Sequence, residues 1–253
     1  MASVSETKPI PLCVTRREFL GLSGLSGLAL ALGLPAFATA ESSSPVSPEG
    51  LTTNQINALY VASLNYQAAD TIAATAVARR INFLPGSENE TASNMCGPLA
   101  ADILKSAGII PASISSADFW LIDPRYRRSL LEKAFPSQSW TWITSRTPLV
   151  EVDFKASSLK TGDVIYNYIG SRYFFYHLLV ITRVDEAGRA FSVTNYRQPN
   201  REYAIDEQLL YDPTKPGDGL FYRWASVQPR KLVSGQRDGY DLWRPGISGA
   251  AGK

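Results

Sequence analysis

The chain has 253 residues with 25 Lys and Arg against 23 Asp and Glu, a formal net charge of +2. That balance excludes the strongly basic face of a nucleic-acid binder, and the length suits one sizeable core better than two. Two cysteines and one histidine are too few for a disulfide framework or a typical zinc site, so no metal or other cofactor is expected.

The first forty residues read as an export signal. Thr15-Arg16-Arg17-Glu18-Phe19-Leu20 resembles the twin-arginine signal, Phe19 to Ala40 carries no charge, and Ala38-Thr39-Ala40 offers an A-x-A cleavage site before Glu41. An uncleaved anchor is the competing reading, but Gly21, Gly24, Gly27 and Gly33 leave the stretch only mildly apolar. The expectation is a cleaved signal at 1–40, engagement of the twin-arginine export machinery, and no membrane anchor afterwards. Residues 41–50, rich in Ser and Pro, read as a flexible linker, 51–245 as a single domain, and 246–253 as a glycine-rich flexible tail.

Thr53 can cap a long helix reaching Arg80, with Ile56, Tyr60, Leu64, Ala68 and Ile72 as its core stripe. After a loop at Pro85 to Glu90, Cys96 leads into a helix through Ala107, with Pro98 in the first turn and Gly108 as the stop. Ser115 to Asp118 suggests the cap of a third helical region, broken at Asp123-Pro124 and resumed from Arg127 to Lys133. Beyond Trp140 the texture turns to strands at Val164–Ile169, Tyr173–Val184, Arg189–Tyr196, Tyr203–Leu210 and Leu220–Trp224. Helices first and strands afterwards predict an α+β domain with an antiparallel sheet.

Cys13 leaves with the signal, so Cys96 stands as a lone exported thiol, either buried and inert or kept for its chemistry. At a helix N-terminus the unpaired N–H groups favour the thiolate, and His177, the sole imidazole, is the base that would take the thiol proton and return it to a leaving amine. Asn195 is the candidate orienter of that imidazole. A three-residue hairpin loop at Glu186-Ala187-Gly188 pairs Asp185 with Arg189, sets His177 opposite Arg197, and brings Asn195 onto the face of His177. A two-residue loop would turn Asn195 away. The backbone N–H of Cys96 and the side chain of Asn94 are the oxyanion candidates, with Asn89 the other option, since Glu90 cannot donate when ionised.

Leu159-Lys160-Thr161-Gly162-Asp163-Val164-Ile165, an apolar strand opened by His177, and a strand ending in Thr194-Asn195 together resemble the CHAP family of cysteine, histidine-dependent amidohydrolases and the NlpC-type cell-wall peptidases. Cys96-Gly97-Pro98 is similar to the nucleophile region of other papain-like peptidases. The resemblance covers about residues 88 to 198 and implies a papain-like fold, with the nucleophile Cys96 at a helix start packed on the sheet, His177 as base and Asn195 as the third polar residue. It also implies peptidoglycan as substrate and a periplasmic or cell-wall location. Leu178-Leu179 depart from the small residues that commonly follow the histidine in these families, and the stretch with Trp120, Trp140 and Trp142 reads as an insertion that shapes a groove. Two other readings stand beside the hydrolase: a non-catalytic exported binding module with a buried Cys96 and an aromatic ligand surface, and a cysteine-dependent acyltransferase.

Overall fold

The computed structural model describes residues 46–83, 95–155, 157–170, 174–215, 217–226 and 237–247. The signal peptide, Asn89, Glu90 and Asn94 lie outside the described residues. The chain is α+β: helices dominate the first part and antiparallel sheets the second.

Thr52 opens α1 (Thr53–Leu64) through a capping box with Gln55, each satisfying a backbone N–H of the other. The expected single long helix is in fact two. Asp70 accepts from Ala73 N at 2.8 Å and starts α2 (Thr71–Arg80), while the backbone of Ala68 pairs in both directions with Ile205 at 2.8 Å. A sheet edge has captured the residues between the helices, and their N–H groups cannot also serve a helix ladder. The anticipated stripe largely fails with it: Ala68 is buried, but Ile72 is 83% exposed, Ile56 and Leu64 are also exposed, and Leu59, Ala62 and Ser63 are the buried residues of α1.

Helix α3 (Cys96–Ser106) is apolar over most of its surface, and Leu99, Ile103 and Leu104 are buried. A 3-10 turn at Ser116–Phe119 packs against it, followed by α4 (Arg128–Ala134). Strands β1 (Trp140–Ser145), β2 (Val164–Gly170), β3 (Phe174–Val180) and β7 (Arg237–Pro245) form one sheet in the order β1-β7-β2-β3. Strands β4 (Arg183–Val184), β5 (Ala190–Arg197) and β6 (Tyr203–Tyr211) form a second. The sequence suggested a strand at Leu220–Trp224, whereas Leu220–Ser226 is helix α5. Gly219 at φ +102° turns the chain there against the Leu210 carbonyl, where a side chain would collide, and Leu220 and Phe221 are buried as α5 packs on β6.

Side-chain alternation divides the four-stranded sheet cleanly. Val164, Tyr166, Leu178 and Val180 join the core beneath α1, α2 and α3, together with Val193 and Ile205 from the second sheet. Ile165, Leu179, Ile181, Tyr240 and Leu242 face a second core built with Leu149, Phe154, Leu210 and Phe221. The ends of the domain are tied down more firmly than their composition suggested. Val46, inside the stretch read as a linker, is core, and Gly246 and Ile247 donate to the carbonyls of Ser139 and Pro48 at 2.7 and 2.8 Å.

The L-x-x-G-D segment is the corner from which β2 starts. Gly162 takes φ +93°, Gly162 N donates to Ile181 O, and Ile181 N donates to Asp163 O, both at 2.8 Å. The Asp163 carboxylate is fully buried. It accepts from Lys160 N at 2.8 Å and from Nε and Nη2 of Arg244 at 2.9 and 2.6 Å. Burial pushes the carboxyl up while Arg244 and the Lys160 N–H pull it back. This clamp joins the start of β2 to the end of β7.

Candidate functional site

Helix α3 packs on β3 and on β5, the strands that carry His177 and Asn195. Cys96 is its first residue, carries a thiol, and is 1% exposed. No side chain caps this helix start. Gly97 is required beside Cys96 because a Cβ there would collide with the Phe119 carbonyl, so the 3-10 turn and the nucleophile candidate are in direct register. Neighbouring the same core, burial raises Asp241 above the usual carboxylate range, with Thr144 Oγ1 donating to it at 2.7 Å. Burial, then the charges of Asp123 and Asp241, raises the Tyr166 phenol likewise.

His177 is 6% exposed and pairs across the strands with Asn167. Because Leu178 and Val180 point into the core beneath α3, the imidazole leaves β3 on the other face, that of Leu179 and Ile165. Its Nε2 lies 3.2 Å from Thr194 Oγ1. When Nε2 donates to that hydroxyl, Nδ1 is left as the acceptor, the form a general base needs.

Thr194, the residue before Asn195 on β5, is thus a side chain within hydrogen-bond distance of the imidazole. The hairpin loop itself is as read: Asp185 N donates to Arg189 O at 3.1 Å, Gly188 N donates to Asp185 O at 2.9 Å, and Gly188 takes φ +78°. The pairs Arg183↔Phe191 and Val184↔Ala190 continue that register. It ends there. Between Val180 and Arg183 the chain leaves one sheet for the other, and the parity of facing residues changes by one across the break. A shift of one residue inverts every side chain, so Asn195, paired with Ile205, points into the helix-side core and Thr194 takes the place beside His177.

Two polar residues that sequence reasoning passed over thus belong beside His177. Thr194 was one position from the residue chosen. Asn167 had a visible signal, a lone carboxamide inside the apolar run Val164-Ile165-Tyr166-Asn167-Tyr168-Ile169.

The aromatic segment forms a separate groove of about 470 Å³ between α4 and the β1–β7 edge, lined by Arg128, Glu132, Phe135, Trp140, Trp142 and Trp243. Trp142 is 53% exposed, and its ring lies nearly parallel to Trp243, 9° apart with centroids 6.2 Å apart. Comparison with protein-family models, curated proteins and solved structures found no match to this chain.

Proposed function

We propose that the protein is an exported papain-like cysteine hydrolase that cleaves amide bonds, with peptidoglycan stem peptides as the substrate class. The observation that carries this reading is the anchored imidazole. Thr194 Oγ1 lies 3.2 Å from His177 Nε2, and α3, which Cys96 opens, packs on β3, the strand that carries His177. In the reaction, Nδ1 takes the Cys96 proton as sulfur attacks the substrate carbonyl, and the imidazolium returns it to the leaving amine. Water then attacks the acyl-enzyme through the same base. Backbone N–H groups at the uncapped start of α3 are the donors suited to the developing oxyanion.

Iodoacetamide labelling of Cys96 against pH, in wild type and His177→Ala, tests the reading. Labelling that persists well below pH 7 and disappears in the variant supports a thiolate–imidazolium pair. Slow labelling that the variant leaves unchanged refutes it.

A second reading is favoured by one specific feature, the tryptophan groove. A 470 Å³ recess with an exposed indole platform and the charged Arg128 and Glu132 at its rim has the size and polarity of a small-ligand site. On that reading the protein is an exported binding module, and the buried Cys96 is core. Tryptophan fluorescence titrated with muropeptides separates the two, because a binding module responds without cleaving them.

A further inference from the structure

The side-chain amide of Asn167 is 1% exposed, and neither its nitrogen nor its oxygen has a hydrogen-bond partner among the described residues. Burying an unsatisfied carboxamide is costly, and such groups call for an explanation. Its surroundings supply one. Asn167 stands directly across the strands from His177 on one side and from Tyr240 on the other, so all three side chains leave the same face of the sheet. Thr194 closes the far side of the imidazole. Two residues along β5, on the same face as Thr194, the hydroxyl of Ser192 is also buried without a partner. Directly across the strands from the imidazole there is therefore a carboxamide with unmet hydrogen-bonding capacity.

We propose that Asn167 is the residue that recognises the substrate's peptide group at the His177 site, its N–H donating to a carbonyl and its oxygen accepting from an amide N–H. A carboxamide offers one donor and one acceptor side by side, the complement of a secondary amide. A hydrophobic residue of that size would have completed the packing against Ile165, Leu179 and Tyr240 without an orphaned dipole. The inference rests on the hydrolase reading for its substrate class, but its geometry does not involve Cys96. Asn167 is buried in this structure, so binding includes a local opening, and association is slower than for a preformed cleft.

The test exploits the single histidine of the chain, whose ring resonances in an NMR spectrum report on this site alone. N-acetyl-alanine methylamide is titrated into the Cys96→Ser protein, with and without Asn167→Leu, and thermal midpoints are recorded for both. The expected result is a saturable shift of the His177 ring signals in Cys96→Ser, an affinity at least tenfold weaker once Asn167→Leu is added, and a midpoint that is unchanged or raised. Equal affinity in the two proteins, no ring shift in either, or a midpoint lowered by Asn167→Leu would each overturn the proposal, the last because it would assign the amide a structural role. Failure of the hydrolase reading looks different: the probe still shifts His177, while wild-type protein shows no Cys96-dependent cleavage.

Discussion

Replacing Arg244 with Met should expose how strongly the corner before β2 depends on one ion pair. In the folded protein Asp163 is wholly buried and Arg244 nearly so. Two of the three hydrogen bonds that the carboxylate accepts come from the guanidinium. Arg244→Met leaves a buried carboxylate with the Lys160 N–H alone, and removing one partner of a buried pair costs about 3–5 kcal/mol. For a domain of this size, where about 1 kcal/mol moves the thermal midpoint by 2–4 °C, the expected drop is on the order of 10 °C at pH 7. The pH dependence has a definite sign. Burial already pushes the Asp163 carboxyl up, and without Arg244 it rises further, so the folded value lies above the unfolded value of about 3.9. A group raised in this way contributes stability below the unfolded value and loses it as pH climbs through the folded one. The variant's deficit should therefore shrink as the pH is lowered from 7 toward about 3, below the unfolded value, where the carboxyl is largely neutral in both states. Urea unfolding of both proteins at a series of pH values measures this, and Asp163→Asn in the Arg244→Met background should recover most of the loss at pH 7. A deficit under about 1 kcal/mol, or one that grows on acidification, would refute the account of the clamp.

Gly97→Ala should destabilise the domain by about 1–3 kcal/mol, as overpacking does, because the added Cβ meets the Phe119 carbonyl; a thermal midpoint equal to wild type would contradict the close approach. On the hydrolase reading proposed above, Thr194→Val should lower kcat about fivefold with little change in KM, the loss of one hydrogen bond of about 1 kcal/mol, whereas Asn195→Ala should lower stability and leave kcat within about twofold. The opposite ranking, read from full kinetic profiles against pH, would restore Asn195 as the orienter. Trp142→Ala should weaken muropeptide binding at the groove by about two- to tenfold, the worth of one stacked ring, measured by calorimetry; unchanged affinity would remove the groove from ligand recognition.

The parts of this chain that were legible in its sequence are those set by local chemistry. Cys96 opens a helix because Pro98 fits its first turn and Gly108 ends it, and Asp185 to Arg189 closes as a three-residue loop because Gly188 accepts a positive φ. The existence of strands β2 and β3 was readable from their β-branched and aromatic content. What was not readable depends on partners remote in the chain. The break between α1 and α2 comes from Ala68 pairing with Ile205, and the apolar spacing of four between Ile56 and Ile72 carries no trace of it. Leu220 to Trp224 has the aromatic content of a strand but folds as helix where Gly219 turns against Leu210.

The decisive illegibility is smaller still. Val180 to Arg183 spans the step from one sheet to the other, and nothing in Ile181-Thr182 announces it. Yet α3 packs on both β3 and β5, and a helix seated across two strands favours a splayed pair over a continuous ladder. The splay changes the parity of β5 relative to β3, which turns Thr194 toward the imidazole and pairs Asn195 with Ile205. Thr194 can orient an imidazole through its hydroxyl but offers no amide to a substrate. Asn167, across the strands on the other flank of His177, restores that capacity from β2. On the proposed hydrolase reading, the same backbone step determines which residue holds the base and which is left to meet the ligand.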